Sequence, residues 1–195
     1  MLVLASNNQG KLTEIKALLL PRGIEVKSAA ELGFTEDIAE TGSSFMENAN
    51  IKASHIAQAL NLPALADDSG LVVPALDGAP GVRSARYAGE KASDAENNQK
   101  LLQAMAGIDK RAAYFVCSMM CVKPDGSAIN AEGLLAGLIT HSPQGVNGFG
   151  YDPLFMVPEL GKTLAQTDAA EKNAISHRGQ ALRKILDRLP AFLGF

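Results

Sequence analysis

Two adjacent aspartates beside an apolar run carry the strongest chemical signal in this chain. Asp67-Asp68-Ser69-Gly70 follows Ala64-Leu65-Ala66 and precedes Leu71-Val72-Val73. Hard divalent cations take carboxylate oxygens, and Mg2+ uses one or two carboxylates together with substrate phosphate. Successive residues of a strand point to opposite faces. Either one aspartate serves a site while the other is structural, or a turn after the strand lets both converge. The plainer alternative is an Asx-type turn between two short strands. Glu40, in the acidic loop Glu36-Asp37-Ile38-Ala39-Glu40-Thr41-Gly42, is a further carboxylate whose loop Gly42 and the following helix would fix.

Anion-binding chemistry has its own candidates. Ser6-Asn7-Asn8-Gln9-Gly10-Lys11 joins a short apolar run to a helix. A helix N-terminus offers free N–H groups and a partial positive charge, both suited to phosphate. Lys11 has the wrong sign for that end of a helix and makes better sense beside a bound anion; otherwise the segment is a polar turn with its lysine in solvent. It is not a P-loop, which requires glycine at the position of Ala5 and serine or threonine at that of Leu12. Lys52, with Asn48 and His55, forms a polar stripe that ordinarily marks a solvated helix face. Gly148-Phe149-Gly150-Tyr151-Asp152-Pro153 places an aromatic ring between glycines, where it could stack on a base. Ser176-His177-Arg178-Gly179 could open a new helix, with His177 and Arg178 in its first turn. The three histidines and two cysteines fit no zinc spacing.

These groups need elements to position them. Leu12, Ile15, Leu18 and Leu19 recur at helical spacing, and Pro21-Arg22-Gly23 ends that helix. Ile24 to Lys27 reads as a strand. Ser44-x-x-Glu47 has the form of a capping box for a helix to about Leu60, with Phe45, Ala49, Ala53, Ile56 and Leu60 on one face. Ser93-x-x-Glu96 opens another, closed near Gly107. Arg111 to Val122 and Ser127 to Thr140 read as strands joined at Pro124-Asp125-Gly126, and the chain ends in helix from around Ala169, interrupted near Ser176. Alternating helices and strands followed by a hairpin predict an α/β domain with a mixed sheet.

Composition narrows the class. The 195 residues are 47% hydrophobic and 20% charged, with no tryptophan, so aliphatic side chains and alanine must fill the core. A net charge of −3 argues against a broad nucleic-acid-binding face, although a few convergent lysines still suit a small anionic substrate. No segment has the length of a membrane helix, and the N-terminal apolar run is too short for a signal peptide. Cys117 and Cys121 lie four residues apart on one strand, about 13 Å, which is too far for a disulfide. Buried thiols and an intracellular, cytoplasmic location are expected.

Taken in order, Ser6-x-Asn8-x-x-Lys11, Glu40-Thr41-Gly42, Phe45-x-Glu47-Asn48-Ala49, Ala66-Asp67-Asp68-Ser69-Gly70-Leu71, Gly78-Ala79-Pro80-Gly81, Ser84-Ala85-Arg86-Tyr87, Gly148-Phe149-Gly150-Tyr151-Asp152-Pro153 and Ser176-His177-Arg178-Gly179 resemble the inosine triphosphate pyrophosphatase family. These are house-cleaning enzymes for non-standard purine nucleotides. The resemblance runs from Ser6 to Leu189. Asn7 departs from the frequent glycine of the first motif, and the loop at Ile108-Asp109-Lys110 is short. The resemblance implies one elongated α/β domain over residues 1–195, with a twisted mixed sheet and two lobes around a substrate cleft. It also implies Mg2+ dependence, a homodimer, and hydrolysis of ITP, dITP and XTP to monophosphate and pyrophosphate. By position, Ser6, Asn7, Asn8, Gln9, Gly10 and Lys11 would hold phosphates with Lys52 and Ser69. Glu40, Asp68 and Asp67 would hold metal, and Asp68 would be the catalytic residue that orients or deprotonates water. Phe149, Gly150, Tyr151, Asp152, Lys172, His177 and Arg178 would form the nucleoside pocket. An Arg178 donor aimed at purine position 6 would favour oxygen over the adenine amino group; the alternative is that Arg178 pairs with a carboxylate and supports the last helix.

Overall fold

The computed structural model describes residues 1–194. Its first strands are short because polar loops interrupt them quickly: β1 (Leu2–Leu4) ends two residues before Ser6, and β2 (Val26–Ser28) follows the turn at Gly23. Strand β3 runs from Ala64 to Val72. β1 lies between β2 and β3 and is parallel to both, with Leu2 opposite Val26 and Leu4 opposite Leu65. Strand alternation then sorts the apolar residues. Leu2, Leu4 and Leu65 pack with Leu12, Ile15 and Leu19 of α1 (Gln9–Leu19) and with Leu182, Ile185 and Leu186 of the later helix α5 (His177–Leu186). Val3, Ala5, Ala64 and Ala66 instead pack with Ala49, Ala53, Ile56 and Ala57 of α2 (Phe45–Leu60). Helices therefore cover both faces of this part of the sheet. Each buried leucine or isoleucine contributes about 1.5–3 kcal/mol to holding them there.

Helix ends follow their sequence signals. Asn8 caps α1 by accepting from the Lys11 N–H at 3.0 Å. Ser44 caps α2, but Glu47 turns to Ser43, accepting from its N–H at 2.6 Å, so the predicted capping box closes one residue early. Ser93 and Glu96 complete a reciprocal box at the start of α3 (Asp94–Ala104). Pro21 ends α1 in a short 3-10 turn that Gly23 finishes at φ +67°.

Strands β4 (Ala112–Val122) and β5 (Ala128–Ile139) are the predicted long pair, and β6 (Phe155–Val157) and β7 (Lys162–Thr163) extend the sheet to the order β2-β1-β3-β4-β5-β6-β7. β6 runs antiparallel to both β5 and β7, so the sheet is mixed. β6 and β7 escape sequence reading because three and two residues are too few to show a period. The last helices are α4 (Ala169–Ile175), α5 and α6 (Leu189–Leu193), with the break at Ser176, whose ψ of 153° is extended.

The described residues group into two compact units. One takes Met1–Asp68, Cys117–Gly133 and the segment from His177 onward; the other takes Ser69–Val116 and Leu134–Ser176. The second unit has its own core, including Leu71, Leu101, Phe115, Ile139 and Phe155. Cys117 and Cys121 are free and buried; burial raises both thiols, that of Cys121 to about 12, which leaves them unreactive. Among the described residues no helix is long and apolar enough to cross a membrane.

One expectation is overturned. Residues 67–70 are not a turn between two strands; β3 passes through them without interruption. The aspartates disfavour a strand by propensity, but ionic partners on both faces override it. Gly133 of β5 shows how tightly α5 sits on the sheet. A Cβ there would run into the His177 carbonyl oxygen and lie 2.7 Å from the Ala181 nitrogen, both immovable backbone atoms. Gly133→Ala is expected to destabilise the fold by about 1–3 kcal/mol, the usual cost of overpacking. Urea denaturation measures this, and an unchanged midpoint would show that α5 lifts off freely.

Candidate active site

Because β3 is continuous, Asp67 and Asp68 point to opposite faces of the sheet. They do not converge on one site. Each instead meets its own set of partners within the first unit.

Asp68 faces α2. Its Oδ1 lies 3.3 Å from Lys52 Nζ, and the same nitrogen is 2.7 Å from Glu40 Oε1. Its Oδ2 accepts from Asn48 Nδ2 at 3.2 Å. Asn48 and Lys52 are one helical turn apart, so both reach the same carboxylate. Asn48 also accepts, through Oδ1, from the Gly42 N–H at 2.8 Å. That bond fixes the loop carrying Glu40, and the approach is so close that a Cβ on Gly42 would lie 2.7 Å from Asn48 Oδ1. The polar stripe of α2 thus divides. Asn48 and Lys52 turn inward, while His55 is exposed and edges against Phe34.

Asp67 faces α1 and α5. Its Oδ2 lies 3.0 Å from Lys11 Nζ and 3.3 Å from Arg178 Nε. Arg178 also pairs with Glu14 of α1. The chain thus supplies one anion beside Lys11 itself. His177 and Arg178 are both buried in the first turn of α5, as the sequence predicts. Ser6 accepts from the Asn8 N–H at 3.2 Å, so Ser6 and Asn8 shape the turn before α1, where Asn7 and Gln9 are exposed and Gly10 is half-buried.

Electrostatics separates the two aspartates. Burial by itself raises the Asp67 carboxyl, but Lys11, Arg178 and Lys52 override it and hold the group far below the usual carboxylate range. Burial also raises Asp68; Lys52 and Lys11 pull it back without prevailing, and Glu40 adds to the rise. For Lys52 burial acts downward, and Asp68, Asp67 and Glu40 more than compensate, so its ammonium is secured.

In the second unit, Phe149 to Asp152 form a knot of their own. Asp152 Oδ2 accepts from Lys172 Nζ at 2.6 Å and from the Phe149 N–H at 3.0 Å. Lys172 Nζ also sits 4.5 Å from the Phe149 ring centroid, a cation–π contact. Tyr151 is buried and donates its hydroxyl to the Ser84 carbonyl. Ser69, next to Asp68 on β3, is half-buried.

The donor chemistry fits a hard cation at Glu40 and Asp68. Two carboxylate oxygens from different elements already converge on one positive charge, that of Lys52. Among the described residues no three His, Cys, Asp or Glu side chains form a complete cage. The Asp67 carboxylate is taken up by Lys11 and Arg178. Asn48, which the sequence places only in a polar stripe and a matching segment, and Glu14, which it passes over, both join the site. Glu14 carries no signal in the sequence, since its partner Arg178 lies 164 residues away.

The sequence profile of the Ham1 family matches residues 2–188. The chain is similar to the dITP/XTP pyrophosphatase of Bacillus subtilis, 48% identical over 191 residues and covering 97% of this chain and 96% of that protein. It is 50% identical over 192 residues to the dITP/XTP pyrophosphatase of Yersinia pestis, covering 96% and 97%. Its fold matches the structure of the Staphylococcus aureus Ham1 protein with a TM-score of 0.88 at 44% identity, covering 97% and 98% of the two chains. A HAM1 protein from Coxiella burnetii gives a TM-score of 0.88 at 48% identity, with coverage of 97% and 98%.

The two aspartates should separate in stability. Removing one partner of a buried ion pair costs about 3–5 kcal/mol, so Asp67→Asn should destabilise on that scale, whereas Asp68→Asn should be neutral or stabilising in metal-free buffer. The pH dependence has matching signs. Asp67, depressed in the folded state, contributes stability above its unfolded value near 3.9 that is lost as pH falls below it. Asp68, raised in the folded state, contributes stability below that value that is lost as pH rises through its folded one. Urea titrations at neutral and acidic pH test this; equal losses for both variants at neutral pH would refute the division.

Proposed function

Because the chain belongs to the Ham1 family, we propose that it hydrolyses non-standard purine nucleoside triphosphates (ITP, dITP and XTP) to the monophosphate and pyrophosphate. The observation that carries the reaction is the meeting of Glu40, Asp68 and Asn48 around Lys52. Asn48 and Lys52 hold the two oxygens of Asp68 separately, which fixes the plane of its carboxylate. A carboxylate held in one plane is suited to orient or deprotonate a water molecule beside it.

Glu40 and Asp68 would hold Mg2+, which supplies charge neutralisation on the leaving pyrophosphate and lowers the pKa of bound water. Lys52 and Lys11 carry the positive charge that phosphate requires, with Ser6, Asn8, the free N–H groups at the start of α1, and Ser69 as further donors. Phe149, held by Asp152 and Lys172, offers the stacking face for a base. In this reading Asp67 is an organiser, anchoring Lys11 and Arg178. A cytoplasmic homodimer belongs to the same proposal, and sedimentation velocity tests the dimer.

Water attacking the α-phosphorus gives monophosphate and pyrophosphate. A nucleotide panel with Mg2+ should therefore release pyrophosphate from ITP and XTP far faster than from ATP; release of orthophosphate and a diphosphate would sink the bond assignment. Asp68→Asn keeps the shape of the group and should lower kcat by about 10²-fold or more, the scale of general-base contributions.

Arg178 yields a second outcome. Its pairing with Glu14 and Asp67 supports the carboxylate-pairing alternative over base reading. Arg178→Ala should accordingly depress ITP and ATP turnover by equal factors, leaving discrimination to His177 and the Phe149 loop. A narrowed ITP-to-ATP ratio of kcat/KM would return base reading to Arg178.

A further inference from the structure

Residues 140–151, which follow β5, contain no regular helix or strand. A stretch of that length would wander unless tied down. Phe149 lies within it, between Gly148 at φ +75° and Gly150 at φ +61°, both left-handed.

Two side chains of α3 grip a single residue of this stretch. Asp94 and Asn98 are spaced i, i+4 and so share a helix face. Asp94 Oδ2 accepts from the Gly150 N–H at 2.6 Å, and Asn98 Nδ2 donates to the Gly150 carbonyl at 2.8 Å. The backbone donor and acceptor of Gly150 are thus both held by the same helix. The capping box at Ser93 and Glu96 fixes where that helix begins, and hence where Asp94 stands.

The grip on Gly150 leaves the Asn98 amide no freedom to turn. Asn98 Nδ2 also donates to the Asp94 carbonyl at 2.8 Å. With two carbonyl acceptors on its nitrogen, the amide can take only one orientation. Its Oδ1 is left buried with no hydrogen-bond partner among the described residues. Buried acceptors without partners are uncommon and concentrate where a constraint other than stability operates. The same loop is held on its other side by Asp152, which binds the Phe149 N–H and Lys172.

We propose that Asp94 and Asn98 are positioning residues that clamp Gly150 and thereby set the pose in which Phe149 meets the nucleobase. The proposal rests on the nucleotide reading above and deepens it. The clamp governs how well the base binds, and leaves the grip on the phosphates and the chemical step unchanged.

Three variants test it in the full-length protein. Asp94→Ala and Asn98→Ala each remove one arm of the clamp, whereas Asp94→Asn keeps an oxygen that can accept from Gly150. The two alanine variants should raise KM for ITP by about tenfold, the order expected for losing one hydrogen bond to a charged or fixed group, with kcat nearly unchanged. Inhibition by inorganic tripolyphosphate, which has no base, should not move. Amide hydrogen exchange over residues 147–152 should accelerate in the alanine variants and return to the wild-type rate in Asp94→Asn. Should Asn98→Ala melt, Asp94→Ala and its asparagine rescue carry the test. An active wild type whose KM for ITP survives both alanine substitutions overturns the clamp, as do a parallel loss of tripolyphosphate binding or unchanged loop exchange. A wild type that neither binds nor turns over ITP overturns the nucleotide reading itself, and with it the base that Phe149 is posed for.

Discussion

A strand residue and its successor cannot face the same way, and much of this structure answers that constraint. Placing two aspartates in sequence on β3 forces one carboxylate onto each face of a sheet whose faces are both covered. A buried carboxylate must find positive partners or give up its charge. The fold supplies partners twice over, from α1 and α5 on one face and from α2 on the other. The two solutions differ in completeness. Asp67 receives a lysine and an arginine and is wholly enclosed; Asp68 receives one lysine, shares it with Glu40, and keeps some exposure. One face becomes a structural tie, and on the other the carboxylate is held less firmly in its ionised form.

The tie reaches beyond the pair. Glu14 and Asp67 hold Arg178 between them, and Arg178 stands in the first turn of α5. Replacing such a network with apolar groups of like volume often costs nothing in stability. Its value here is geometric, because it ties α1 and α5 to β3. Arg111 does comparable work in the second unit, donating to the carbonyls of Met105, Ile108, Ile139 and Thr140 and fixing the entry to β4.

The sequence announces some of this and conceals the rest, for physical reasons. Helix α2 is legible to its ends because Ser44 supplies a local cap and alanines recur at the helical period. The break at Ser176 and the inward residues Leu182, Ile185, Leu186 and Leu189 are legible for the same reason. The uninterrupted course of β3 is not, since its central aspartates and glycine read locally as a turn and only long-range pairing contradicts them. The association of Asp67 with Arg178 spans 111 residues and leaves no periodic trace. Family resemblance brought Lys52, Glu40 and Asp68 to attention together, but spacing could not reveal that they share one ammonium. Asn48 reads in sequence as part of a solvated polar stripe, and only the distant carboxylate of Asp68 turns it inward.

The first unit is assembled from three separated stretches of chain, and its last contribution begins only at His177. A polypeptide leaving the ribosome exposes β1, β2 and Asp67 long before the arginine that balances that aspartate has been made. Until then the carboxylate has lysines but not its arginine, and the apolar face of the nascent strands lacks Leu182, Ile185 and Leu186. Contacts this distant in sequence slow folding, because loop closure must precede the reward. Synthesis of this protein therefore passes through a long interval in which its oldest strands wait, uncovered, for its youngest helix, and a chain cut short before α5 is a natural client for chaperones.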